Sequence, residues 1–366
     1  MTNVSLKATR KPLWKKLLTA LLITALLLAG GIGLYAYDNL SWQSRLMDHV
    51  WQAGFEEKQA TLPNGTVLNY GVGGPEDGVP LFLIHGQEVA WEDYARVLPT
   101  LAKTWRVYAV DCHGHGDSTH DPARYTCQTM TEDFIWFLQN VVGKPCVLSG
   151  HSSGGVLASC IASQAPELAL GLLIEDAPFH CFRPADMEKR NAFVWSGGFV
   201  IGHDFLNQTA ESDYIAYYFE HNAIWRLFGD GMVRMLADSA RAHASAHPNE
   251  PFQVWYMPAS MMNALYYAYQ YDLLFGEAFY NDTWFAGLEE DAMLQSIRCP
   301  TVYLHAKESY MMQGIMTCAT PEKDAEEVSA LIPHCEKIEL PASDHDIHFV
   351  YPNEFLDGLD ALARKL

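Results

Sequence analysis

The sequence predicts an α/β protein: a mostly parallel sheet covered by helices on both faces, with one helical insertion and a membrane-spanning helix in front. Three observations carry this. From Val79 onward, apolar runs of strand length alternate with longer helical stretches, the pattern that builds a parallel sheet buried on both faces. The alternation stops over residues 179–290, where aromatic and methionine residues crowd together, and resumes at Pro300. Residues 17–37 read LLTALLITALLLAGGIGLYAY without a charge, close to the ~20 apolar residues that cross a bilayer core as a helix. The length of 366 residues suits one large domain plus an insertion, and a hydrophobic fraction of 49% argues against extensive disorder. A formal charge of -20 argues against nucleic acid as a partner, since such a chain repels a polyphosphate.

The acidity is uneven. Residues 1–16 carry Lys7, Arg10, Lys11, Lys15 and Lys16 and no carboxylate, a basic tail that stays on the cytoplasmic side and sends the large domain outside. A cleaved signal with secretion is the competing reading, but its apolar stretch is about 7–15 residues long and ends in a small-residue cleavage site. Here the run is longer and closes on Tyr-Ala-Tyr-Asp, which favours a single-pass anchor in the cell membrane. Residues 38–58 read as a linker. Around Pro63-Asn64-Gly65, two short extended runs predict an antiparallel hairpin.

Strands are then expected at 79–86, 106–112, 145–150 and 170–177, with helices at 91–103, 129–142 and 152–164 between them. Thr129 followed by Glu132 is a capping-box pattern for the second helix. After the insertion come a strand at 300–306, a helix opening with Pro321, a strand at 336–342 and a last helix from Pro352. The domain plan is thus a core of 59–178 and 291–366 carrying a helical cap of 179–290. Of the eight cysteines, Cys146, Cys160 and Cys299 lie in apolar strand or helix patterns and read as buried thiols. Cys318 and Cys335 flank a predicted helix and could pair. No cysteine or histidine spacing suggests zinc, and sequons stand at Asn64, Asn207 and Asn281.

The chemistry concentrates in Gly150-His151-Ser152-Ser153-Gly154, a G-x-S-x-G pattern between an apolar strand and a helix. A serine on such a sharp turn holds its hydroxyl clear of the backbone, and small neighbours permit the turn. The helix that follows aims free N–H groups and the positive end of its dipole at the serine. A serine nucleophile needs a base, and the last strand-to-helix connection, LPASDHDIHFVYPNEF, offers His345 and His348. His345 stands nearer the strand end, from where an imidazole can reach Ser152; His348 is placed to pack behind it.

From about Ala60 to the C-terminus the sequence resembles the α/β-hydrolase superfamily. His85-Gly86-Gln87 is similar to the family's HG motif, residues 110–118 (VDCHGHGDS) resemble its D-x-x-G-x-G-x-S segment, and Pro352 follows His345 at the usual offset. The resemblance implies an α/β-hydrolase fold with an eight-stranded, mostly parallel sheet, and an order of nucleophile, acid, histidine. It implies an acid in the loop after the strand at 300–306, where Glu308 stands although aspartate is commoner there. Asp176 is the alternate acid, and Asp344, adjoining His345, is less well placed. It also implies an oxyanion hole from the backbone N–H groups of Gln87 and Ser153. Asp111, His113 and His115 are explained by the glycine-rich family loop better than by a metal, and neither metal nor cofactor is expected.

The resulting expectation is a membrane-anchored serine hydrolase, a carboxylesterase or lipase working through an acyl-enzyme. The Met- and aromatic-rich cap favours a small-molecule ester with an apolar acyl or aryl group. Alternatives are an acyltransferase, an amide or carbon–carbon bond hydrolase on the same triad, and a catalytically silent, membrane-tethered binding protein. The serine itself excludes relatives that need an aspartate nucleophile.

Overall fold

A computed structural model describes residues 12–311, 314–340 and 344–366; the expected basic tail up to residue 11 lies outside them. Eight strands form one sheet in the order β1-β2-β4-β3-β5-β6-β7-β8. They are β1 (Glu56–Thr61), β2 (Val67–Gly73), β3 (Val79–Ile84), β4 (Trp105–Val110), β5 (Cys146–His151), β6 (Ala169–Glu175), β7 (Thr301–His305) and β8 (Cys335–Glu339). β2 pairs antiparallel with β1 and β4, and every other pairing is parallel. The hairpin turns where Pro63-Asn64-Gly65 predicts it, with Gly65 at φ 89°.

Alternation along the central strands fills two cores. On β3, Phe82 and Ile84 join the cluster on one face, while Leu81 and Leu83 join the cluster on the other. Period-2 geometry makes a continuous apolar run feed both faces at once. Each such fully buried side chain contributes about 1.5–3 kcal/mol. Between β6 and β7 the described residues contain helices and no named strand. A separate cluster there includes Phe219, Trp225, Leu236 and Phe252, so this region has a core of its own.

Three expectations about local structure need correction. The stretch read as a linker is ordered: helix α1 spans Leu13–Leu40 and, after a break at Ser41, helix α2 spans Trp42–Gln52. Its apolar residues Trp42, Met47 and Val50 recur at helical spacing and are buried. The helix expected from Thr129 starts two residues earlier, at Cys127, because Thr126 is the cap: its Oγ1 accepts the Thr129 N–H at 3.2 Å. Cys318 and Cys335 do not pair. All eight cysteines are free, seven of them buried.

Candidate active site

Ser152 directly follows β5 and caps the helix Ser153–Gln164 with φ 54° and ψ −125°. A residue with a Cβ held at positive φ costs about 1–3 kcal/mol and persists only where its surroundings enforce it. The enforcement is visible. A Cβ on Gly150 would lie 2.1 Å from the Gly154 carbonyl oxygen, and one on Gly154 would lie 2.3 Å from that of Ile84. Only glycine lets the elbow fold so tightly against β3. The Ser152 N–H donates to the Glu175 carbonyl at 2.9 Å, which fixes the turn to the neighbouring strand.

His345 lies in the loop after β8. Its Nδ1 meets Asp176 Oδ2 at 2.7 Å, and Asp176 is fully buried. Asp176, at φ 36° just beyond β6, also accepts N–H groups from Ala319 at 2.9 Å and Ala306 at 3.3 Å. Burial pushes the His345 imidazole down, but the Asp176 hydrogen bond and charge, with Asp346 and Glu175, outweigh it and raise the pKa to about 8. The Asp176 contact holds Nδ1 protonated and leaves Nε2 as the basic nitrogen.

Glu308 is therefore not the partner of His345. Its Oε2 accepts the Glu322 N–H at 2.8 Å and its Oε1 accepts the Tyr310 hydroxyl at 2.6 Å. Oε2 thus serves the start of the helix Glu322–Leu331, where free N–H groups attract a carboxylate, and Oε1 is taken up within its own loop. The residue weighed as the alternate, Asp176, takes the position expected of Glu308.

Ser152, Ser153, Gln87 and His345 line one cavity, whose other walls include Phe182, Met187, Phe193, Phe199 and Phe279. The apolar side chains come from the region between β6 and β7. Ser153 is the first residue of the helix, so its N–H is one of the unbonded donors at that end.

A second buried group lies behind His345. His348 Nδ1 contacts Glu175 Oε1 at 2.7 Å and its Nε2 contacts Asp93 Oδ2 at 3.0 Å, with all three side chains at 0% exposure. Burial opposes its charge, yet the two carboxylates raise His348 to about 10. Next to it, His151 is driven well below its usual range by burial and by the neighbouring imidazoles. Neutral His151 donates from Nε2 to the His345 carbonyl at 3.1 Å, which ties the histidine loop to the elbow. Asp346, near this group, is raised to about 7 by burial and by Asp93.

Asp111, His113 and His115 point to separate structural partners. Asp111 accepts the Trp91 and Asp117 N–H groups, His113 pairs with Asp133 at 2.9 Å, and His115 Nε2 accepts the Glu88 N–H. Asp93, His151 and His348 have metal-ligand composition and lie close together, but His348 already spans two carboxylates. Sequence reading missed Glu175, Asp93 and Glu88. The one signal for Glu175 was a carboxylate at the end of an otherwise apolar strand.

A sequence model of the Alpha/beta hydrolase family matches residues 81–357. The chain belongs to the α/β-hydrolase family. It is 34% identical over 129 residues to the sn-1-specific diacylglycerol lipase ABHD11 of Danio rerio, 34% of this chain and 39% of that protein. It is 33% identical over 94 residues to the magnesium-chelatase 30 kDa subunit of Rhodobacter capsulatus, 25% of this chain and 33% of the relative. The chain spans less than half the length of these relatives. Among solved structures, a membrane phospholipase A described as a bacterial virulence factor superposes with a TM-score of 0.59 at 18% identity, over 94% of this chain and 99% of that one. An esterase from Rhodococcus sp. ECU1013 superposes with a TM-score of 0.57 at 17% identity, over 85% and 99%. At such identities the α/β-hydrolase fold is what they share with this chain.

Proposed function

We propose that this α/β hydrolase is a membrane-anchored serine esterase or lipase that cleaves esters with an apolar acyl or aryl group through an acyl-enzyme on Ser152. The observation that carries the reading is the 2.7 Å contact between His345 and the buried Asp176, on a cavity that also exposes a serine at strained backbone angles. In this reading His345 Nε2 takes the Ser152 proton as Oγ attacks the ester carbonyl. Asp176 orients the ring and stabilises the imidazolium. The backbone N–H groups of Ser153 and Gln87 receive the oxyanion, where losing one donor removes about 3–4 kcal/mol of transition-state stabilisation. His345 then protonates the leaving alcohol, and water, deprotonated by the same nitrogen, releases the acid.

The aromatic and methionine walls support an apolar acyl or aryl group, since they offer little to a charged or sugar-like one. Relatives described as a diacylglycerol lipase and a membrane phospholipase A are consistent with that class. A fluorophosphonate probe tests the nucleophile: wild-type protein is expected to be labelled and Ser152→Ala is not. Undiminished labelling of the variant would overturn the assignment. A series of nitrophenyl esters from acetyl to palmitoyl tests the substrate class, with preference for small charged acyl groups as the contrary result.

A further inference from the structure

Three side chains of metal-ligand type meet at the C-terminal ends of the last two strands. His305 closes β7 and Glu339 closes β8, where the two residues are register partners. Glu322 opens the helix Glu322–Leu331 that lies between these strands in the chain. One ligand atom from each of the three lies within 4.8 Å of the other two. Their spacing along the chain matches no zinc pattern; the parallel pairing of β7 with β8 is what brings them together.

The imidazole decides what the cluster lacks. His305 is fully buried, and its Nε2 meets the Thr320 carbonyl at 2.7 Å. A carbonyl only accepts, so Nε2 carries the hydrogen and the neutral ring keeps a lone pair on Nδ1. Nδ1 is itself buried without a hydrogen-bond partner, and it faces Glu322 Oε2 at 3.3 Å. Two electron-rich atoms thus point at one another, which is unfavourable unless a cation stands between them. The carboxyls show the same deficit: Glu339 is raised, and Glu322 lowered, first of all by their contact with each other. The ammonium of Lys337 takes up only the other Glu322 oxygen, so one positive charge serves two carboxylates.

We propose that His305, Glu322 and Glu339 form a structural site for a divalent cation of the zinc class. Mixed imidazole and carboxylate ligation suits zinc, whereas magnesium and calcium take oxygen ligands. Ligand atoms around a tetrahedral zinc ion stand roughly 3.3–3.6 Å apart, a separation that His305 Nδ1 and Glu322 Oε2 already have. Glu339, an exposed side chain, has to draw in by about an ångström, and water takes the fourth position. The Thr320 carbonyl holds the far side of the ring, as the outer partner of a metal-bound histidine does. The neighbouring Ala319 N–H donates to Asp176 Oδ2 at 2.9 Å, so a cation that fixes His305 also steadies the segment that supports Asp176.

The test uses the full-length protein, stripped with EDTA, freed of the chelator and titrated with zinc chloride at neutral pH. Near saturation zinc should raise the wild-type Tm by about 3 °C or more, and magnesium chloride should not. Glu339→Gln changes an exposed side chain, so the variant should fold as the wild type does and lose the rise. Equilibrium dialysis provides the count, with one more zinc retained per wild-type chain than per Glu339→Gln chain. No rise in the wild type, an equal rise with magnesium, or a zinc response and zinc count that Glu339→Gln leaves intact overturns the proposal. Both readouts are of binding and stability, so they stand apart from whatever is hydrolysed at Ser152.

Discussion

Asp176 and Glu308 are both carboxylates beside strand ends, and their surroundings assign them different work. Asp176 is fully buried against His345, whereas Glu308 reaches the first N–H of a helix. Asp176→Asn is expected to lower kcat by roughly 10⁴, as when a triad imidazole loses its orienting acid. Glu308→Gln should leave kcat within about twofold while lowering stability by about 1 kcal/mol through the weakened helix start. Steady-state kinetics on a nitrophenyl ester checks both; the opposite ranking would return the acid role to Glu308. The pH profile gives a second handle. The proposed mechanism needs neutral His345, so kcat/KM should rise with pH through about 8. In Asp176→Asn, burial remains and the raising partner is gone, so the midpoint should move to lower pH. An unmoved midpoint would mean that another group titrates there.

At the scale of elements, the His348 cluster joins three segments: Asp93 from the turn after β3, Glu175 from the end of β6 and His348 from the short helix Ile347–Val350. Glu175 also holds the elbow through its carbonyl. Removing the imidazolium leaves two buried carboxylates without a counter-charge, so His348→Ala should destabilise the fold by about 3–5 kcal/mol. The sign with pH follows from the raised pKa. The stabilisation is complete below the ordinary histidine value of 6.5 and is lost as pH climbs through about 10. Thermal unfolding between pH 6.5 and 10 should therefore show a downward slope in Tm that His348→Ala flattens; an equal slope in both would place the titration elsewhere. This group was poorly legible in the sequence, and the reason is physical. Strands, the elbow and the two loop histidines announce themselves through period, glycine spacing and local order. By contrast, which acid meets which histidine depends on contacts between residues as far apart as Asp93 and His348, or Asp176 and His345. Glu308 looked right because the loop after β7 is near in topology, but the local demand of a helix terminus captured it. The linker failed for a related reason: the short amphipathic stretch at Trp42, Met47 and Val50 carries little helix signal without the core it packs against.

For the whole molecule, the N-terminal helix is joined to the hydrolase by specific contacts. α1 is long and apolar enough to cross a membrane, and at ~1.5 Å per residue its 28 residues span about 42 Å. Trp14 at one end and Tyr35 and Tyr37 at the other are exposed, the positions that interfacial aromatics take on a helix that crosses a bilayer. At its end, the Asn39 amide donates to the Val254, Trp255 and Met257 carbonyls. Just beyond the Ser41 break, Trp42 packs edge-on against Tyr266 at 5.4 Å and Phe349 at 5.8 Å, and Gln43 bonds the Tyr267 hydroxyl. The junction thus grips both the inserted region and the helix that carries His348. A fragment beginning at Asp38 keeps these contacts and should fold with an unchanged Tm and undiminished labelling by the fluorophosphonate probe. One beginning at Ala53 loses Trp42, Met47 and Val50 from the core, at about 1.5–3 kcal/mol each, and should melt several degrees lower with reduced activity. Equal melting of the two fragments would show that α2 is dispensable and that α1 could be joined to the hydrolase by any flexible linker.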